Sequence, residues 1–116
     1  MVLTIPERLQ KIPAAVRKVT AAEAKAECEQ NGGVVIDVRE SAEREENPVS
    51  GSVHIPRGVL EMKACEQFRD PQTPIYIHCA SGVRAQLAAE QLHNMGYDRV
   101  SAITCDLTKV KDVLHD

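Results

Sequence analysis

Short runs of β-branched and aliphatic residues punctuate this chain, each bounded by glycine, proline or charge. Residues 34–38 are apolar apart from Asp37, the pattern of a strand buried on both faces. Residues 53–55, ended by Pro56, then 75–78 and 99–103, complete the series. Helical patterns lie between them. Thr20-Ala21-Ala22-Glu23 has the spacing of a capping box and opens a helix that Gly32-Gly33 stops. Residues 58–68 read as a second helix, followed by the Asp70-Pro71 turn. Residues 82–95 read as a third, with Ala85, Ala88, Ala89, Leu92 and Met95 on one apolar face, and residues 107–114 as the last. The stretch 39–52, rich in glutamate and carrying Asn47-Pro48, reads as a solvated loop. Residues 1–16 scatter Leu3, Ile5, Leu9, Ile12 and Val16 around Pro6 and Pro13. They read as an extension with a short helix between the prolines, ahead of one domain over residues 17–116. Strands alternating with helices predict an α/β fold on a parallel sheet with right-handed crossovers.

Composition narrows the class. The 116 residues suffice for one hydrophobic core, and a hydrophobic content of 43% excludes wholesale disorder. Aromatics are 3% and tryptophan is absent, so the core is aliphatic, as suits helices on a buried parallel sheet. Net charge is −3, which gives no general attraction to nucleic acid or to anionic membrane, and neither is an expected partner. An anionic ligand must be drawn by local cations. No apolar run is long enough for a signal peptide or a membrane helix. Cys28, Cys65, Cys79 and Cys105 are widely spaced with no Cys-x-x-Cys pair, which argues against zinc and against a disulfide framework. The expected compartment is the cytoplasm, with no metal and no cofactor.

The chemistry concentrates at Ile75-Tyr76-Ile77-His78-Cys79-Ala80-Ser81-Gly82-Val83-Arg84. An apolar strand ends in a cysteine, passes a loop of small residues, and enters a helix. A thiol so placed meets converging backbone N–H groups and the positive end of a helix dipole, both of which favour the nucleophilic thiolate. The N–H groups of residues 80–84 are the expected ring around the sulfur, and they suit a persulfide anion equally well.

Together the motifs resemble the rhodanese-like domain family over roughly residues 17–114. Val35-Ile36-Asp37-Val38-Arg39-Glu40 is similar to the family's first motif. Gly51-Ser52-Val53-His54-Ile55-Pro56 is similar to its Gly-His-Ile-Pro region, and Cys79-x-x-Gly82-x-Arg84 to its active-site loop. The resemblance implies a three-layer domain with a central parallel sheet of about five strands. It also implies a catalytic Cys79 that carries sulfur as a persulfide. The chain departs from many members after the last strand, where Ile103-Thr104-Cys105-Asp106-Leu107 replaces a Gly-Gly and a Trp.

The expected activity is sulfur transfer from a donor such as thiosulfate to cyanide, a thiol or a protein acceptor. Ala80, Ser81, Gly82, Val83, Arg84 and Arg57 are the expected substrate-binding residues. Arg84 has two readings: it binds an oxyanion, or it fixes the loop by bonding its carbonyls. Arg57 follows a strand at the edge of the sheet where ligands bind. The rival functions are a non-catalytic regulatory or sulfur-carrier module, a cysteine phosphatase and an arsenate reductase. Both oxyanion reactions meet a size objection, because the phosphatase loop is one residue longer than the Cys79–Arg84 loop. Asp37 is read as a backbone-bonding residue, Arg39 as a carboxylate partner and His54 as a structural donor. Cys28 and Cys65 are read as buried helical thiols, and Cys105 as a conceivable resolving thiol. Oligomeric state is left open.

Overall fold

The computed structural model describes residues 1–114; the last two residues of the expected domain, 115 and 116, lie outside them. Five parallel strands form one sheet: β1 (Arg17–Val19), β2 (Val34–Asp37), β3 (Ser52–His54), β4 (Ile75–His78) and β5 (Val100–Ile103). Their order across the sheet is β1-β5-β4-β2-β3. β4 lies at the centre between β5 and β2, and both β4 and β5 are buried along their length. Because side chains alternate along a strand, the sheet divides the core in two. Ile36, Ile75, Ile77, Cys79 and Ala102 join Leu60, Ala64, Ala85, Ala88, Ala89 and Leu92 in one cluster. That cluster draws on helices α4 (Leu60–Gln67) and α5 (Val83–Asn94). Val35, Tyr76 and Ile103 face the other way, with Ala21 and Ala24 of α2 (Ala21–Asn31) and Val110 of α6 (Leu107–Leu114).

Local chemistry explains the boundaries. Thr20 caps α2, its hydroxyl accepting the Glu23 N–H at 3.1 Å while the Glu23 carboxylate accepts the Thr20 N–H at 2.9 Å. Gly32 ends that helix with φ +66°. In the extension, α1 (Ile5–Gln10) has Pro6 in its first turn, where the missing N–H costs nothing. Arg8 of α1 pairs with Glu90 of α5, and Ile12 packs against the main core.

Four sequence expectations change. Residues 39–52 are not all loop: Ser41–Glu46 form helix α3. It buries none of its residues, so no apolar stripe announces it. Met95 leaves the buried face of α5 and is 45% exposed. Cys65 is exposed rather than buried, whereas Cys28 is half-buried and packs against the second cluster. Strand β1, hidden behind the charged pair Arg17-Lys18, is the fifth strand that the alternation did not locate.

Candidate active site

The direction of the chain reverses between β2 and β4. From β2 it moves outward to β3, and from β4 it moves the other way to β5. Adjacent strands whose exits diverge leave a crevice at their carboxyl ends, the usual binding place in open α/β sheets. Asp37 and His78 face each other in register at those ends, and Cys79 follows directly.

The loop from Cys79 to Gly82 links β4 to α5. Gly82 holds φ +89°, a conformation that glycine adopts without strain. A Cβ there would lie 3.0 Å from both Cα and O of Thr104, so the loop is pressed against the connection leaving β5. The Leu107 N–H also donates to the Ala80 carbonyl at 2.8 Å. Helix α6 therefore braces the loop even though the Gly-Gly and Trp of many relatives are absent.

Cys79 Sγ accepts N–H groups from Gly82 at 3.1 Å and Ala85 at 3.3 Å. Gly82 belongs to the expected ring, and Ala85 adds a donor one turn further on. Val83 and Arg84 open α5, where N–H groups have no partner within the helix. Ser81 is exposed and Ala80 half-buried, but Cys79 itself is 0% exposed. The sulfur thus sits at the floor of the loop, with amides above and aliphatic core below.

The guanidinium of Arg84 is held by α3, donating to both carboxylate oxygens of Glu43 at 2.7 and 2.9 Å. Glu43 also accepts the Glu40 N–H at 3.0 Å, which fixes the start of α3. The hydrogen bond from Arg84 holds the Glu43 carboxyl down at about 2. From the sequence, Glu43 is one of a glutamate run read as a solvated face or a contact for a basic partner, with no link to Arg84. Arg57, after β3, pairs with Glu61 at 2.9 Å.

Beneath the crevice lies a buried ionic cluster. Asp37 is fully buried and accepts the Arg39 backbone N–H at 3.0 Å and its Nη2 at 2.9 Å. Arg44 of α3 reaches the same carboxylate at 3.1 Å and bonds Ser52 at 2.7 Å. Arg39 also donates to the carbonyls of Glu43 and Asn47, tying the helix down where apolar contacts do not. The Nε2 of His54 lies 2.7 Å from the Arg39 carbonyl, so that nitrogen is the donor.

His78 faces this cluster, on the side of the sheet opposite Cys79. Its Nε2 is 3.9 Å from Asp37, and neither ring nitrogen has a hydrogen-bond partner. Burial, opposed by Asp37, pushes its pKa down to about 4, so the ring is neutral near pH 7. Cys105 accepts the Ala21 N–H at 3.3 Å and packs with the second cluster, whereas Cys79 belongs to the first. The two thiols point to opposite faces, which removes the ground for a resolving role. Among the described residues no group of three or more His, Cys, Asp or Glu is placed to hold a metal, and no helix is long and apolar enough to cross a membrane.

Fold and loop together define a parallel α/β domain that offers a cysteine to the opening turn of a helix at its topological switch point. Residues 20–112 match the model of the Rhodanese-like domain, and the chain belongs to that family. It is 39% identical over 66 residues to "Putative sulfur carrier protein YrkF" of Bacillus subtilis (strain 168), a match covering 57% of this chain and 35% of that protein. The chain therefore spans about a third of the length of that curated relative. Among solved structures it resembles Rhodopseudomonas palustris CGA009 protein RPA3614, described as of unknown function and "Possible Tyrosine Phosphatase", with TM-score 0.74 and 27% identity over 97% of this chain and 92% of that one. It also shares its fold with the polysulfide-sulfur transferase homodimer of Wolinella succinogenes, at TM-score 0.71 and 24% identity over 88% and 77% of the two chains.

Proposed function

We propose that this protein is a sulfurtransferase in which Cys79 is the nucleophile and carries sulfur as a persulfide. The observation that supports this most is the pair of N–H groups, from Gly82 and Ala85, directed at Sγ where α5 begins. Donors fixed in that way stabilise a sulfur anion without reorganising during the reaction. The Cys79 thiolate attacks the outer sulfur of a sulfane donor. With thiosulfate the donor S–S bond breaks, sulfite leaves with the electron pair, and Cys79 Sγ gains one sulfur. A thiolate or cyanide then attacks that outer sulfur, forming a persulfide or thiocyanate and returning the Cys79 thiolate. The outer atom extends about 2 Å beyond Sγ, bringing the reactive end up from the floor of the loop. Because Sγ is sealed, the first attack needs a small opening of residues 79–82.

Sulfur handling also fits the names given to the Bacillus and Wolinella proteins. The Rhodopseudomonas protein carries a phosphatase description. Here four residues separate Cys79 from Arg84, one fewer than the phosphatase loop, and Arg84 is turned to Glu43. The smaller ring suits a single sulfur better than a tetrahedral phosphate. The test is the intact mass of the protein after incubation with thiosulfate or glutathione persulfide, alongside thiocyanate release on adding cyanide. Wild type gains one sulfur atom and turns over, and Cys79→Ser does neither. Failure of Cys79 to acquire sulfur from either donor would refute the assignment.

A further inference from the structure

The arginines at the carboxyl edge of β2, β3 and β4 are all committed to carboxylates. Arg39 is 1% exposed against Asp37, and Arg44 shares that carboxylate. Arg57 is paired with Glu61. Arg84, the one carried by the loop's own helix, is held by both oxygens of Glu43. On α6, Lys111 reaches the Asn47 side chain at 3.4 Å. A doubly charged donor approaching Cys79 thus finds loop amides but a guanidinium already neutralised. The carboxylate that neutralises it stays ionised down to about pH 2.

We propose that Glu43 is a specificity-determining residue of the Cys79 site. By holding Arg84 in a bidentate pair, it disfavours donors that leave as a dianionic oxyanion, such as thiosulfate, and selects donors of the form R–S–SH that leave as a thiolate. The inference rests on the sulfurtransferase reading above. In the selected reaction the Cys79 thiolate attacks the terminal sulfur of R–S–SH. The donor S–S bond breaks, R–S⁻ departs with its electron pair, and Cys79–S–SH is formed, so atoms and charge balance with no added oxidant. The amides that bond Sγ accommodate the single sulfur being passed. Thiosulfate, by contrast, brings a dianion to the Arg84–Glu43 pair and releases a second dianion, sulfite, there.

The test compares kcat/KM for thiosulfate and for glutathione persulfide, with cyanide as acceptor, at low ionic strength. Wild type, Glu43→Gln, Arg84→Gln and Glu45→Gln are measured together. Glu43→Gln frees Arg84 and removes a negative charge at the site, and is expected to raise the thiosulfate-to-persulfide ratio about tenfold, an effect that salt weakens. Glu45→Gln makes the same change of charge at an exposed residue of α3 and leaves the ratio within about twofold. Arg84→Gln leaves the Glu43 carboxylate without its counter-charge and is expected to lower the thiosulfate-to-persulfide ratio further. An unchanged ratio in Glu43→Gln overturns the proposal. A ratio that is unchanged or raised in Arg84→Gln overturns it independently, even if Glu43→Gln fails to fold. If neither donor adds sulfur to Cys79 by intact mass, the sulfurtransferase reading itself falls and takes the selectivity with it.

Discussion

Replacing Gly82 by alanine tests whether the cysteine loop is shaped by its contact with the strand exit behind it. Two costs add. A non-glycine residue in the left-handed region costs about 1–2 kcal/mol, and Gly82 stands at φ +89°. The new Cβ would also sit 3.0 Å from Thr104 Cα and O, which are backbone atoms and cannot swing aside. Overpacking of that kind costs about 1–3 kcal/mol, for a total of roughly 2–5 kcal/mol. Gly32→Ala is the control, because Gly32 has φ +66° with nothing within 4 Å of a Cβ. It should show the conformational cost alone, about 1–2 kcal/mol. Urea unfolding of both variants measures the difference, and at about 4 °C per kcal/mol for a domain of this size thermal melts report it too. Gly82→Ala should also load sulfur on Cys79 more slowly, since relieving the clash moves the Gly82 N–H away from Sγ. Equal destabilisation by the two substitutions would show that the Thr104 contact does not confine the loop, and the bracing argument would be wrong.

Two further outcomes concern the ionic cluster below the site. Asp37→Asn leaves the buried Arg39 guanidinium without its counter-charge and should cost about 3–5 kcal/mol in urea unfolding; a loss below about 1 kcal/mol would show that the remaining carbonyl contacts suffice. Burial raises the Asp37 carboxyl, but the hydrogen bonds from Arg39 together with the positive charge around it outweigh that and leave the pKa below the ordinary 3.8. Its contribution is therefore present above the unfolded value and is lost as pH falls through the lowered folded one. His78 acts over a higher window. Its pKa falls from 6.5 to about 4 on folding, so between those values the unfolded chain binds more protons and stability declines as the solution is acidified. The decline amounts to about 3 kcal/mol across the window. His78→Leu should flatten that slope in melts from pH 7 to pH 4, and an unaltered slope would mean that another group carries it.

Much of the fold was legible because parallel strands and capped helices write themselves locally. Residues 34–38 and 75–78 are short, apolar and bounded by breakers, and both became central strands. Thr20 and Glu23 stand at capping-box spacing and cap each other. What was not legible depended on distant partners. Helix α3 has no apolar stripe; it is held by Arg39 donating to the Glu43 carbonyl and by its own Arg44 reaching the buried Asp37. Strand β1 is three residues long and begins with two charges, so only its pairing with β5 reveals it. At the candidate site, Cys79, Gly82 and the helix start could be read from one contiguous stretch. The Glu43–Arg84 pair spans forty-one positions and joins two different connections of the sheet; no local pattern contains it.

The sealing of the Cys79 sulfur reverses the usual order in which reagents find cysteines. In the folded protein an added electrophile meets Cys65 first, on the outside of α4, while the residue expected to do the chemistry stays buried. A bulk count of titratable thiols would then describe a bystander. The same shelter would guard the proposed nucleophile against stray peroxide, because oxidation, like sulfur transfer, needs the sulfur uncovered.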